Sequence, residues 1–277
     1  MELKTMISVE FFPPKTTKGI ENLSSAIDEL QQIKPAYHSV TYGAGGSGQN
    51  FTQTTVLSIQ KKGFTVAPHI SCVNSTKSNI KEQLDQYKNN QIDRLVVLRG
   101  DLPSGAREYG EFNYASELVE FINIQYQGFF KIEVAAYPEQ HPQTLNPITD
   151  IKNFKKKIDA GATGAITQYF YNPDSFYQFI DECQKQQINI PIVAGIMPIT
   201  NSQNLKRFSQ ICGAEIPRYL NNYLNLYEYK PDELIKWTTP IVAKMCQNLI
   251  DNNVAGLHFY TMNKARPTTD IYNLLKL

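Results

Sequence analysis

The sequence predicts a single (β/α)8 barrel, and three observations lead to this fold class. Eight short runs rich in β-branched and aromatic residues are spaced along the 277-residue chain, and amphipathic helical stretches separate them. Strands that alternate with helices pair in parallel. Eight such units in about 260 residues fit a closed barrel better than an open sheet. Because no linker or composition shift divides the chain, we expect residues 1–277 to form one domain.

The predicted strands are short apolar runs that end in polar, Gly or Pro residues. In chain order they are residues 7–12, 38–43, 65–70, 94–99, 132–137, 164–170, 192–196 and 256–261. Since active sites of such barrels lie at the carboxyl ends of the strands, the residues that follow each run are the candidates for function.

Apolar residues spaced three and four apart predict the helices between these strands. After the first strand this spacing is kept by Ile20, Leu23, Ile27 and Leu30. It recurs within residues 118–122, 151–158 and 176–183. The longest interval, residues 198–255, is predicted to hold two or three helices, with Pro217, Pro231 and Pro240 as breaks.

Composition and charge exclude several classes of protein. A net charge of +1 gives no electrostatic footprint for nucleic acid or an anionic membrane, and no run of 18 apolar residues is present. The four cysteines lie far apart without a Cys-x-x-Cys pair, and the histidines lack metal-ligand spacing, so we expect neither disulfide nor metal site. The N-terminus lacks the regions of a signal peptide, which predicts a cytoplasmic protein.

One glycine-rich segment resembles a dinucleotide-binding fingerprint by its spelling. Residues 43–48 read G-A-G-G-S-G and follow a predicted strand. That fingerprint also needs an acidic residue about 20 positions later, and no Asp or Glu occurs between Glu29 and Glu82. We therefore interpret the segment as a loop that permits tight turns or close approach of a ligand.

Glu10 is the first candidate for chemistry. Strand alternation places Ser8, Glu10 and Phe12 on one face, and one face of a barrel strand points into the packed interior. With Phe11 and Phe12 beside it, we expect a desolvated carboxyl whose pKa is raised toward that of a general acid. The alternative is a Glu paired with a Lys or Arg of the barrel.

Other polar residues at strand ends have both a functional and a structural interpretation. Asp101 follows Gly100 and either bonds a heterocycle or caps the next segment, and Gln168 either contacts a ligand or is a satisfied buried amide. His69 and His141 lie at strand ends and are candidates for ligand contact. Two further histidines, His38 and His258, lie within or before strands and are interpreted as structural.

Three consecutive lysines, residues 155–157, form a charge run on a predicted helix. The simpler interpretation is a solvated helix face. Alternatively, with Asp150 as the helix cap, these side chains reach a phosphate at the barrel rim.

At these positions the sequence resembles methylenetetrahydrofolate reductase of the bacterial, flavin-dependent type. The matching segments occur in the family's order and extend from residue 7 to about residue 265. They are V-E-F-F-P-P-K at 9–15, S-V-T-Y-G-A at 39–44, A-P-H at 67–69, L-R-G-D-L-P at 98–103, A-A-Y-P-E-Q-H-P at 135–142, D-A-G-A at 159–162, I-T-Q-Y-F at 166–170, G-I-M-P at 195–198 and H-F-Y-T-M-N at 258–263. The resemblance corresponds to the catalytic domain, without the regulatory extension of the eukaryotic enzymes.

The resemblance implies a FAD-containing barrel that reduces methylenetetrahydrofolate to 5-methyltetrahydrofolate. NADH or NADPH would reduce the flavin and leave before the folate enters, which gives ping-pong kinetics. It implies that Glu10 is the general acid that opens the folate's five-membered ring. It also implies that Asp101 lies near the pterin and flavin, and that Gln168 contacts folate and nicotinamide in turn.

The resemblance also implies a set of flavin contacts. These are Thr41, Tyr42, His69, Arg99, Gly100, Asp101, Tyr114, Ala115, Tyr137, His141, Asp150, Asn153, Lys156 and Lys157. Phe208 matches an aromatic residue that packs against substrate. Lys264 and Asn204 depart from the Arg and Gln expected at two substrate-binding positions, which puts the affinity for the folate's glutamate tail in doubt.

Three other functions compete with the reductase. They are another FAD-linked barrel oxidoreductase of the proline dehydrogenase kind, a Schiff-base aldolase, and a non-catalytic folate-binding barrel. An aldolase needs a lysine inside the barrel at a strand end, and none of the strand interiors has one. The expected partners are small molecules and further copies of this chain in a homo-oligomer.

Overall fold

The computed structural model describes residues 5–42, 49–72, 75–100 and 110–277. Within these residues, eight parallel strands form a closed barrel in chain order, and the last strand pairs with the first. The predicted (β/α)8 fold is therefore confirmed. The strands are β1 (Met6–Phe11), β2 (Tyr37–Val40), β3 (Val66–Ser71), β4 (Arg94–Leu98), β5 (Lys131–Ala136), β6 (Gly164–Thr167), β7 (Ile192–Ile196) and β8 (Gly256–Tyr260).

The sixth strand is shorter than predicted. It ends at Thr167 rather than at residue 170, and the Gln168 amide still donates to the Ala136 carbonyl at 2.8 Å. The apolar residues that extended the prediction, Tyr169 and Phe170, are buried beyond the strand. A short apolar run does not distinguish a strand from a buried loop.

Helices surround the barrel. They are α1 (Thr17–Leu30), α2 (Gln49–Lys61), α3 (Lys77–Asn89), α4 (Ala115–Tyr126), α5 (Pro147–Asp159), α6 (Pro173–Lys185), α7 (Ser202–Cys212), α8 (Arg218–Leu226), α9 (Pro231–Asp251) and α10 (Arg266–Tyr272), with a 3-10 turn at Gln31–Ile33.

Prolines in the interval before β8 have two different roles. Pro217 precedes α8 and Pro231 is the first residue of α9, as the predicted breaks require. Pro240, however, lies inside α9, so its prediction as a break is wrong. The helix continues through it because Leu234, Val242 and other residues on both sides bury one continuous face.

The cap of α5 also differs from the prediction. Asn146, not Asp150, is the N-cap, and its side chain accepts from the Thr149 amide at 2.9 Å. Asp150 lies within the first turn and accepts from the backbone N–H of His141 at 2.9 Å. The carboxylate thus holds the preceding loop instead of the helix end.

The main apolar core lies between the strands and the helices, whereas the barrel interior combines polar side chains with a small apolar cluster of Tyr37, Ala67, Val96 and Ile166. Outward residues such as Val9, Phe11 and Phe259 are fully buried under the helices. The inward residues of several strands are polar and also buried. They include Ser8, Glu10, Tyr37, Ser39, His69, Glu133 and His258. A polar interior at these positions is unusual for barrels, whose cores are dominated by branched aliphatic residues.

Within the described residues, none of the helices has the length and apolar character that a membrane span requires. The same residues contain no cluster of His, Cys, Asp and Glu that would bind a metal ion. All four cysteines are free, and Cys212 alone among them is partly exposed. The glycine-rich segment 43–48 lies outside the described residues.

Candidate active site

Glu10 lies inside the barrel near the carboxyl end of β1, as alternation predicted. Its side chain is buried, and three groups from neighbouring strands surround Oε2. His69 Nε2 is 3.2 Å away, His258 Nε2 is 3.4 Å away, and Ser39 Oγ donates at 3.4 Å. The alternative prediction, that Glu10 pairs with a Lys or Arg, is wrong. The charged partners of its carboxylate are the imidazoles of His69 and His258.

The electrostatics of Glu10 differ from the prediction. Burial raises the pKa of this carboxyl, but the charges and hydrogen bonds of His69 and His258 together lower it more, to about 2. The expected raised pKa is therefore wrong for the ligand-free protein. Phe11 packs outside the barrel and Phe12 is 43% exposed, so neither encloses the carboxyl as we expected.

The loop after β8 holds the end of β1 in place. Thr261 Oγ1 donates to the Glu10 carbonyl at 2.6 Å. The Asn263 side chain accepts from the Phe12 amide at 2.8 Å and donates to the Phe12 carbonyl at 2.9 Å. Met262 and Asn263 adopt left-handed backbone, with φ of 52° and 57°. Such backbone is costly for a residue like Met, so the surrounding bonds must fix it.

A second ionic cluster lies deeper in the barrel. Glu133 accepts from the Tyr37 hydroxyl at 3.0 Å and pairs with Arg94 at 3.1 Å. The Arg94 guanidinium also lies over the Tyr37 ring, 4.5 Å from its centre. This group comes from β2, β4 and β5, away from the strand ends where a ligand would bind.

The wall formed by β4, β5, α5 and the loops that follow the two strands carries at least half of the residues predicted to contact flavin. The Tyr137 and His141 rings meet edge to face with centres 4.4 Å apart. Lys157 donates to the Ala135 carbonyl, and burial lowers the pKa of its ammonium to about 8. Asp150 faces this lysine, and burial raises the pKa of its carboxyl.

This wall suits a ligand with an aromatic ring and an anionic group. Arg99 lies close enough to Lys157 for their charges to repel, and a bound anion would relieve that repulsion. The three consecutive lysines, residues 155–157, have different surroundings in the structure. Lys155 pairs with Asp159 at 3.0 Å, Lys156 is exposed beside the equally exposed Asn153, and Lys157 points inward.

The remaining predicted flavin contacts lie around the mouth of the barrel. Thr41 donates its amide to the Phe11 carbonyl at 2.9 Å, and burial raises the pKa of Tyr42. Gly100 has φ of +79°, a conformation that favours glycine. Tyr114, 60% exposed, precedes α4, which begins at Ala115. Asp101 lies outside the described residues.

The predicted substrate-binding residues are spread over three elements. Gln168 follows β6 and lines a cleft of about 170 Å³ of empty space with Tyr137, Glu139 and Tyr169. Asn204 is exposed and Phe208 half-buried one turn later on α7. Lys264 is exposed in the β8–α10 loop and donates its amide to the Thr261 carbonyl. These positions fit a ligand that enters over the mouth.

Sequence reasoning missed several residues of the Glu10 cluster. His258 was interpreted as structural, yet it contacts Glu10, and Tyr260 donates to the Thr167 carbonyl at 2.7 Å inside the barrel. The signal was available: His258 and Tyr260 are two residues apart and so share a strand face, as Ser8 and Glu10 do.

A parallel eight-stranded barrel with a buried acid near the carboxyl end of one strand, contacted by two imidazoles from other strands, has the arrangement of a barrel enzyme. The profile of the family described as methylenetetrahydrofolate reductase matches residues 1–276. This chain belongs to that family.

Relatives with curated names agree with the match. The chain is 40% identical over 274 residues to the 5,10-methylenetetrahydrofolate reductase of Buchnera aphidicola from Acyrthosiphon pisum, covering 98% of this chain and 91% of that one. It is 34% identical to the Escherichia coli K12 enzyme of the same name, covering 97% and 90%. For methylenetetrahydrofolate reductase (NADH) 1 of Arabidopsis thaliana the identity is 34%, over 94% of this chain and 46% of the plant protein.

Solved structures share the fold at low identity. An uncharacterized Clostridium thermocellum protein that binds two copies of 5-methyl-5,6,7,8-tetrahydrofolic acid matches with a TM-score of 0.64 and 15% identity, over 99% of this chain and 94% of that one. An aldo/keto reductase from Klebsiella pneumoniae matches with a TM-score of 0.54 and 11% identity, over 98% and 86%. Both similarities establish the barrel alone.

Proposed function

We propose that this protein is a flavin-dependent methylenetetrahydrofolate reductase with Glu10 as its general acid. The family membership supports the reaction, and the burial of Glu10 between two imidazoles at the mouth is the observation that supports its role. When bound, FAD would accept reducing equivalents from NADH or NADPH and deliver them to the methylene group of the folate. The other steps fall to the protein's own side chains.

The wall of β4, β5 and α5 would hold the cofactor. Lys157 and Arg99 supply positive charge for the diphosphate, and the Tyr137–His141 pair supplies an aromatic surface. The Nε2 atom of His69 pairs with Glu10 at 3.2 Å, so any contact of His69 with the cofactor would come from the rest of its ring. The residues present therefore fit the cofactor, and Asp101 is proposed to act beside it.

Glu10 would give a proton to the folate nitrogen that leaves when the five-membered ring opens. A general acid of this kind contributes about 10²- to 10⁴-fold to the rate. The carboxyl is ionised in the ligand-free protein, because its pKa is lowered to about 2. A ligand that excludes water from the mouth disfavours charged forms, and so favours carboxylic acid plus neutral imidazole over the ion pair.

Gln168, Asn204, Phe208 and Lys264 would orient the substrate from the surrounding loops. The Gln168 amide both donates and accepts, which suits the edge of a pterin. Lys264 would meet the carboxylates of the glutamate tail as a point charge, without the paired hydrogen bonds that Arg offers. The nicotinamide and the folate would use this region in turn, which gives ping-pong kinetics.

The test is an absorbance experiment on the purified protein. We expect bound flavin, loss of its colour when NADH or NADPH is added without oxygen, and return of the colour with methylenetetrahydrofolate. Adding each nucleotide separately determines the preference between them. A folded protein that neither contains nor binds FAD would contradict the proposal.

Two other outcomes identify the competing functions. Reduction of the flavin by proline, with no response to folate, would indicate the other class of barrel oxidoreductase. Folate binding without reoxidation of the reduced flavin would indicate a non-catalytic folate-binding protein.

A further inference from the structure

His258 lies inside the barrel, where its imidazole contacts side chains from two other strands. It lies on β8 with no exposed surface, and both ring nitrogens face polar groups of other strands. Nδ1 is 2.7 Å from Ser8 Oγ, and Nε2 is 3.4 Å from Glu10 Oε2. Ser39 Oγ also lies 3.4 Å from Nε2. The imidazole therefore connects the predicted acid to a serine one layer deeper in the barrel.

The serine allows His258 to hold one proton or two without moving. A hydroxyl both donates and accepts, so Ser8 can bond Nδ1 whether or not that nitrogen carries hydrogen. In the doubly protonated ring, Nδ1–H faces Ser8 and Nε2–H faces Glu10. In the singly protonated ring, Nδ1–H remains on Ser8 and Nε2 accepts from a protonated Glu10. The same geometry thus accommodates both forms of the pair.

The surroundings of His258 contain few charges that could compete with Glu10. Its ring stacks on Tyr37, with centres 6.0 Å apart, and meets Tyr260 edge to face at 5.4 Å. His69 approaches Glu10 from β3 at 3.2 Å. The Glu133–Arg94 pair lies beyond Tyr37 and is internally matched at 3.1 Å. Glu10 is therefore the carboxylate that faces His258 directly.

We propose that His258, held by Ser8, is a positioning residue that stores the proton which Glu10 delivers to the substrate. This inference rests on the proposed function, because it presumes that Glu10 is the acid. The Nε2–H bond of the charged imidazole breaks and an O–H bond forms at Glu10 Oε2, which leaves a neutral imidazole and a neutral carboxylic acid. Glu10 then passes this proton to the folate nitrogen. Water restores the proton to the pair once product leaves the mouth.

The ionisation of Glu10 is consistent with this route. With its pKa near 2, the free carboxylate carries no proton of its own at neutral pH. The proton must therefore reach it after the ligands have closed the mouth, and His258 is one of two imidazoles within 3.4 Å of Oε2, the other being His69.

The first test replaces His258 by Gln, which keeps a polar side chain but cannot store a proton. Rapid mixing measures the two half-reactions separately across pH. We expect flavin reduction to be unchanged, and the folate step to slow by at least about tenfold near neutral pH. We also expect its alkaline limb to move to lower pH, because a carboxyl holds a proton less tightly than an imidazole. A merely structural role would slow the reaction without moving that limb.

Two further variants serve as comparisons for His258→Gln. Ser8→Ala leaves the imidazole but removes its Nδ1 partner, and we expect a smaller shift in the same direction. His38→Gln is the matched control, since His38 is also a buried strand histidine but stacks outside the barrel against Phe11 and Phe64. Its pH profile should equal that of the unchanged protein. If His258→Gln fails to fold, Ser8→Ala against His38→Gln provides the test.

A second readout does not depend on turnover. The imidazole signals of His258 are assigned in the NMR spectrum by their loss in His258→Gln. We expect their titration to shift in Glu10→Gln, because the two side chains share a proton. Identical titration in both proteins, or an unmoved alkaline limb in His258→Gln, would overturn the proposal. If Glu10→Gln instead impairs both half-reactions equally, the assigned role of Glu10 is what fails.

Discussion

Among the described residues, the barrel interior holds two buried carboxylates, Glu10 and Glu133, whose partners differ in one chemical property. Glu10, at the mouth, is paired with the imidazoles of His69 and His258, a type of side chain that exists in neutral and charged forms. Glu133, deeper in the barrel, is paired with Arg94, whose guanidinium remains charged, and with the Tyr37 hydroxyl. The deeper pair can only hold structure, whereas the pair at the mouth can also move a proton.

The two carboxylates should differ most in catalysis. Glu10→Gln should slow the folate step by about 10²- to 10⁴-fold and leave flavin reduction unchanged. Glu133→Gln is the matched control, and both half-reactions should stay within about threefold of the unchanged protein, since no proton is delivered from that site. Rapid mixing of reduced protein with methylenetetrahydrofolate measures the difference. Equal losses in both variants would remove the distinction between the clusters.

For the free energy of unfolding, substitution of Glu133 should have a larger effect than substitution of Glu10. Glu133→Leu leaves the guanidinium of Arg94 partly buried without its counterion, and we expect the free energy of unfolding to fall by about 3 kcal/mol. Glu10→Leu should cost less, about 1 kcal/mol, because both imidazoles can become neutral. Urea unfolding at neutral pH compares the variants. A greater loss in Glu10→Leu would mean that the cluster at the mouth is primarily structural.

Lowering the pH should reduce the stability that the Glu10 cluster contributes. The pKa of Glu10 is lowered from 4.5 to about 2, so its ion pairing stabilises the fold fully above about pH 4.5 and is lost as pH falls toward 2. Glu10→Gln should therefore lose less stability than the unchanged protein over this interval. Thermal unfolding followed from about pH 5 to pH 2.5 measures the difference. Parallel curves for the two proteins would show that Glu10 is not ionised in this way.

The smallest expected effect concerns Lys157, a half-buried ammonium that faces Asp150 and donates to the Ala135 carbonyl. Burial lowers its pKa to about 8, so its positive charge is a cost to the ligand-free fold at neutral pH. Lys157→Met should raise the stability of the FAD-free protein by up to about 1 kcal/mol and weaken FAD binding about tenfold. Lys155→Met, on the exposed face of the same helix, is the control and should change neither quantity. Unchanged FAD affinity in Lys157→Met would exclude its proposed contact.

Much of the fold could be predicted from local patterns. Strand runs and helical spacing identify the alternating units, because each unit buries one face on its neighbours and needs a matching period. Pro240 was the exception, since the prediction weighed its lost hydrogen bond and not the buried face that continues through α9. The prediction of Asp150 as the N-cap of α5 was wrong for a similar reason. Asn146 and Asp150 both suit a cap, and only the position of the His141 loop decides between them.

The candidate site was predictable in part. Alternation placed Glu10 inside the barrel, but it could not tell which side chains of other strands would face it. His69 and Ser39 come from β3 and β2, and His258 depends on the closure of β8 onto β1, where Ser8 lies opposite His258. Closure joins residues about 250 positions apart, so the direction of the pKa shift could not be inferred from the neighbours of Glu10 in sequence.

The protonation state of Glu10 is the quantity on which this account depends. Infrared difference spectra of the ligand-free protein against Glu10→Gln isolate the carbonyl stretch of this side chain. We predict a carboxylate with no protonated signal at any pH from about 4 to 8, and a protonated signal once reduced flavin and a folate analogue occupy the mouth. A protonated Glu10 in the ligand-free protein near pH 6 would contradict the account, because the two imidazoles would then not control this carboxyl.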